Sequence, residues 1–184
     1  MELQFDPSII SEIAARYSFK EDAQALEAGG RIRAGEYTRE NLEKIYEWKT
    51  NGRGRSRLKK NSDEDIADAL RLAVESKTDR AAVAVLTGLS GVHIPVASAI
   101  LTAIDPERFT IIDFRALEAL GILRPANNVD FYLEYLGKCR ELARQNRVSL
   151  RTLDQALWQW SKEASGASQS SPVGNPLRNP PNLS

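Results

Sequence analysis

Asp113 lies in Thr110-Ile111-Ile112-Asp113-Phe114-Arg115, where an apolar run passes into the helical pattern FRALEAL. A carboxylate among isoleucines and a phenylalanine costs free energy unless a donor satisfies it or a reaction uses it. Two uses fit this place. As an N-cap, Asp113 accepts a backbone N–H of the first helical turn, worth about 1 kcal/mol. As a catalytic group, it is kept ionised and aimed by the same donors, ready to stabilise a growing positive charge or to activate a water. Spacing by itself favours the cap.

Two other stretches carry residues able to do chemistry. Leu89-Ser90-Gly91-Val92-His93 is a tight turn between two helical patterns, with Pro95 in the first turn of the second. N–H groups exposed at such a helix start suit a phosphate oxygen. Residues 49–60, KTNGRGRSRLKK, hold six basic side chains, two glycines and no acid. They read as a flexible cationic loop, either solvated or in contact with a polyanion. His93 reads as a solvated turn residue or an extra phosphate contact rather than a general base. The single cysteine, Cys139, and the single histidine exclude an intrachain disulfide, an iron–sulfur cluster and a multi-histidine zinc site.

Helices must position these groups. Asp6-Pro7 starts one, with Ile9, Ile10, Ile13, Ala14 and Tyr17 at helical spacing. Gly29-Gly30 closes the next. Thr38 opens a helix with Leu42, Ile45, Tyr46 and Trp48 on one side. Ser62 caps SDEDIADALRLAVE, which turns Ile66, Ala69, Leu70 and Ala73 inward. Asp79 caps a short helix, and further helices cover 93–104, 113–120, 128–145 and 149–163. In the last, Leu153, Ala156, Leu157 and Trp160 form the buried stripe, and Trp158 is left for a groove or a loop. Residues 166–184, rich in Gly, Ser, Pro and Asn, read as disordered. No strand pattern appears, so the expected fold is all-α, one domain over 1–165.

At 184 residues, 42% of them hydrophobic, the chain can bury one core. Charge is balanced at 25 basic and 25 acidic residues, so any polyanion surface has to be a local patch. The N-terminus MELQFDPSIISEI shows neither a signal peptide nor a membrane span. A soluble, cytoplasmic protein is expected.

LSGVHIPVASAIL followed by PERFTIIDFRALEALG resembles the helix-hairpin-helix DNA glycosylases, the superfamily of endonuclease III. Leu89, Gly91, Val92 and Ala97 match its hairpin, within residues 86–104, and Asp113 falls on its catalytic aspartate. Bifunctional members carry a hairpin lysine eighteen residues before that aspartate; here the position is Pro95. His93 replaces the second hairpin glycine, Ser90 replaces the motif's proline, and the four-cysteine cluster of some members is absent.

The resemblance implies a helix-hairpin-helix glycosylase fold, two helical sub-domains around a cleft. It implies a monofunctional N-glycosylase that flips an altered base out of double-stranded DNA, hydrolyses its glycosidic bond and leaves an abasic site. Repair and attack on modified phage DNA are both open, and the chain's shortness points to an open pocket suited to an enlarged base. With Pro95 in the lysine's place, no β-lyase activity is expected. Lys49, Lys59 and Lys60 are possible substitutes that this reading sets aside. Asp113 is the catalytic candidate. DNA contacts are assigned to Leu89, Ser90, Gly91, Val92 and His93 of the hairpin, to Arg53, Arg55, Arg57 and Lys59 of the basic loop, and to Arg115, for which an ion pair with Glu118 is the simpler account. Trp48 and Asn51 are candidates for base pocket or wedge, with the core as the alternative for Trp48. No organic cofactor or iron–sulfur cluster is implied, though K+ or Na+ could sit on hairpin carbonyls. A nucleoid-associated monomer is expected. The alternative is a non-catalytic hairpin module that binds DNA and keeps Asp113 only as a cap. A nuclease acting with a neighbour lacks any cluster of metal ligands.

Overall fold

Side-chain caps set where most of the helices begin. The computed structural model describes residues 1–17, 22–123 and 125–169, with side chains to 165. Asp6 accepts the Ser8 N–H and starts a 3-10 turn, Pro7–Ile9, which runs into α1, Ile10–Ala15. α2 is Asp22–Arg33. Thr38 caps α3, Arg39–Thr50, and α4 is the short Arg55–Leu58. Ser62 and Asp65 form a reciprocal capping box at α5, Asp63–Glu75. Thr78 caps α6, Asp79–Thr87, and α7 is Ile94–Ile104. Asp113 caps α8, Phe114–Ala119, and Asn128 caps α9, Val129–Gln145. α10 is Leu150–Gln169. The described residues contain no strand, and the fold is all-α.

α2 packs on α3 and α7, α5 on α6, and α6 on α7. On the other side α1 and α8 pack on α10, while α9 touches both α6 and α10. The buried faces of both groups merge into one hydrophobic core.

Four expectations need correction. Gly29 and Gly30 lie inside α2 instead of ending a helix. A Cβ on Gly29 would sit 2.0 Å from the Ala103 carbonyl oxygen, so this glycine lets α2 and α7 approach closely. Thr78, not Asp79, caps α6, which frees the Asp79 carboxylate for Arg108 (2.8 Å) and Arg140 (2.7 Å). The basic stretch is not a free loop, because its Leu58 is fully buried at the end of α4. Finally, α10 continues past Glu163 to Gln169. Residues 170–184 of the expected disordered tail lie outside the described residues.

Gly29→Ala should destabilise the protein by about 1–3 kcal/mol or more through overpacking. Gly30→Ala, where a Cβ meets nothing within 4 Å, should be neutral or stabilising by up to about 1 kcal/mol. Urea denaturation of both variants measures the contrast.

Candidate active site

The segment that delivers Asp113 is irregular and buried, and other elements satisfy its backbone. Thr110, Ile111 and Ile112 are all buried. From α9, the Tyr132 hydroxyl donates to the Thr110 carbonyl (3.0 Å) and the Tyr135 hydroxyl to the Ile111 carbonyl (2.7 Å). From α7, the Ser98 hydroxyl accepts the Ile112 N–H (3.1 Å). Burial pushes both phenols well above their usual range, so they stay protonated and donate. Upstream, Arg140 donates to the Arg108 carbonyl (3.1 Å from Nε), tying the preceding loop to α9.

Asp113 then serves two partners at once. Its Oδ1 accepts the Ala116 N–H at 3.0 Å, as the cap of α8. Its Oδ2 accepts from Lys49 Nζ at 3.2 Å. Lys49 stands in the last turn of α3, and its side chain is 14% exposed against 21% for Asp113. The pair is largely withdrawn from water yet reachable from it.

Behind this pair is a small pocket walled by Tyr17, Trp48 and Trp158. Tyr17 meets Trp158 edge-on, with ring centroids 5.3 Å apart. The pocket also touches Arg151 and Asp154. Arg151 bridges Asp154 and Asp22, and Asp22 further accepts from the Tyr17 hydroxyl (3.0 Å) and from Trp48 Nε1 (3.1 Å). Burial pushes the Asp154 carboxyl up to about 6; Arg151 opposes the shift, Asp113 adds to it, and Lys49 opposes it. Burial also works against the charged form of Arg151, but Asp154 and Asp22 hold it protonated.

In front of the pair lies a wider cleft. Arg53 and Arg57 line it with Gly91 and His93 of the hairpin, and so do Pro95, Asp113 and Arg115. The exposed Phe114 ring (69%) stands at the same cleft. The hairpin is fastened to the basic stretch. Asn61 accepts the Ser90 N–H (2.8 Å) and donates to the Ser90 carbonyl (3.0 Å). Gly91 has φ +86°, and a Cβ there would lie 3.0 Å from the Leu58 nitrogen, so the turn requires glycine.

The other assigned residues are held as follows. Leu89 and Val92 are buried, and the Val92 N–H, expected to meet phosphate, is donated to the Leu89 carbonyl at 3.1 Å. Ser90 is held by Asn61, and Arg55 turns to Glu43 and Glu47. Lys59 is exposed just beyond α4. Asn51 ends α3 in the left-handed conformation and lines a separate depression beside Trp48. Trp48 is half-buried, with its N–H given to Asp22. Arg115 lies over the Trp158 ring (5.5 Å) and donates to Ser161 (3.4 Å) instead of pairing with Glu118. Cys139 is a core thiol, pushed up to about 12 by burial.

Asp22, Arg151, Asp154, Tyr17 and Phe114 were not singled out from the sequence for this site, and Lys49 was named only as a substitute nucleophile and set aside. One signal was available: Arg151, Asp154 and Trp158 recur at helical spacing along one side of α10. The described residues hold no His, Cys, Asp and Glu group able to bind a metal ion. In the hairpin, the carbonyls of Leu89, Ser90 and Gly91 accept from Val92, Asn61 and Tyr46. No helix among the described residues is long and apolar enough to cross a membrane. Compared with protein-family models, curated proteins and solved structures, the chain matches none.

Asp154 has a pH signature. Its folded value lies above the ordinary 3.8, so the folded state holds the proton more tightly than the unfolded chain does. Its stabilising contribution is full below about pH 4 and is lost as pH rises to about 6. Wild type should therefore gain on Asp154→Asn between about pH 7 and about pH 4, by on the order of 1–2 kcal/mol. Denaturation at both pH values checks this; an unchanged difference means Asp154 is ionised throughout.

Proposed function

We propose that the protein is a DNA N-glycosylase with a helix-hairpin-helix glycosylase fold, acting on an altered base extruded from double-stranded DNA. The observation that carries the reading is the position of Asp113. It stands where an aromatic-walled pocket meets a cleft lined by arginines and a glycine turn. A flipped nucleotide needs those two environments on either side of its C1′ atom, one for the base and one for the sugar-phosphate backbone.

Each part then has a task. Arg53 and Arg57 neutralise phosphates without reading sequence, so binding weakens with salt. Gly91 lets the backbone come close to the strand. Tyr17, Trp48 and Trp158 offer faces on which a base stacks, worth about 1–3 kcal/mol per base. Arg151 and Asp154 supply a donor and an acceptor for the base's polar edge. As the glycosidic bond lengthens, positive charge grows on the deoxyribose, and the Asp113 carboxylate stabilises it and orients the attacking water. The base departs and an abasic site remains. The reaction requires no redox cofactor.

The Asp113 bond to Ala116 favours a second reading, in which the residue is only a cap and the chain a DNA-binding module. Asp113→Asn separates the two, since asparagine caps equally well. The assay is mass spectrometry of bases released from alkylated, deaminated, oxidised and hypermodified DNA. Asp113→Asn should cut release by about 100-fold or more while DNA binding persists. Silence from wild type across the panel, with salt-sensitive binding intact, selects the module. The cleft makes its own prediction. Arg53→Gln and Arg57→Gln should each lower the slope of log affinity against log salt by roughly 1. Arg55→Gln, whose side chain is engaged by Glu43 and Glu47, should change it little.

A further inference from the structure

We propose that Lys49 is an amine nucleophile that cleaves the DNA strand at abasic sites, paired with Asp113 across space instead of along the hairpin. The inference rests on the glycosylase reading and would replace the expectation of a purely hydrolytic enzyme. That expectation rested on Pro95 and set Lys49, Lys59 and Lys60 aside, and Pro95 does lie at the cleft. A different helix brings an amine to the same place.

Three observations carry the assignment. Lys49 Nζ is 3.2 Å from Asp113 Oδ2, so the amine has a proton acceptor in contact. Lys49 borders both the aromatic pocket and the cationic cleft. It therefore stands where the C1′ atom of a flipped nucleotide has to lie, between base and backbone. Its reach is fixed as well. Thr50 bonds back to the Tyr46 carbonyl (2.8 Å), Asn51 ends the helix, and the side chain is held at 14% exposure. Lys59 and Lys60, by contrast, are exposed beyond α4.

The steps balance without an outside oxidant or reductant. Asp113 takes a proton from the Lys49 ammonium, and the freed lone pair adds to C1′ of the ring-opened abasic sugar. The carbinolamine loses water to give an iminium, whose positive charge lies beside the aspartate. Loss of the C2′ proton to water gives the enamine. The C3′–O bond then breaks, and the 3′ phosphate leaves with the bonding pair. Water hydrolyses the resulting imine and restores the lysine.

The test uses the full chain and a duplex with one abasic site, so the unknown base plays no part. Borohydride reduces an iminium to a stable secondary amine. The expected result is a covalent protein–DNA adduct, a nick 3′ to the site, and a cross-linked peptide whose modified residue is Lys49. Lys49→Gln and Lys49→Arg should both drop to the reagent blank while still binding the same duplex. No adduct from wild type overturns the proposal, as does an adduct mapped to Lys59, Lys60 or the N-terminus. Base release without an adduct leaves the glycosylase reading standing and reduces Lys49 to an ion-pair partner. An adduct at Lys49 without base release from any DNA in the panel removes the glycosylase reading and keeps the lyase.

Discussion

The site depends on one constraint: four residues of irregular chain pass through an all-helical core, and their peptide groups have no strand to pair with. Buried backbone left unsatisfied would cost several kcal/mol. Side chains satisfy it instead. Tyr132 and Tyr135 reach from α9 to the carbonyls of Thr110 and Ile111, and Ser98 reaches from α7 to the Ile112 N–H. Because these donors are themselves buried in packed helices, the segment has little freedom. Asp113 is thus delivered to the head of α8 by buried side chains that line neither the pocket nor the cleft.

The same logic governs charge. Three carboxylates, Asp22, Asp113 and Asp154, share two cations, Lys49 and Arg151. Arg151 is divided between Asp22 and Asp154, and Asp22 accepts in addition from Tyr17 and Trp48. Burial then weighs most on Asp154, the more enclosed, and raises its value. Asp113 differs in its partners, the Ala116 N–H at the head of α8 and Lys49 Nζ.

What the sequence made legible was local. Ser62 and Asp65, Thr38, and Asn128 announce their helices because a cap and its partner lie within three residues. Asp113 at the start of α8 was visible for the same reason. The site's other half was not. Lys49 lies 64 residues before Asp113, and Arg151 lies 129 after Asp22, and no periodicity links such pairs. The glycine pair in α2 misled because a glycine's breaking tendency is local, while its use against Ala103 depends on α7. The basic stretch misled similarly: six charges mask a single anchor, Leu58, whose burial depends on the hairpin it packs against.

Lys49 and Asp113 are hard to explain as a device for stability. A largely desolvated ion pair seldom outperforms apolar side chains of the same volume, because the loss of water from both charges offsets their attraction. Here the apolar alternative is close at hand, since Trp48 and Ile111 border the same space. Asp113 is already satisfied in part by Ala116, so a cap alone would not require a lysine from α3. The pair borders both the pocket and the cleft, where its 14% and 21% exposed side chains are within reach of an incoming group.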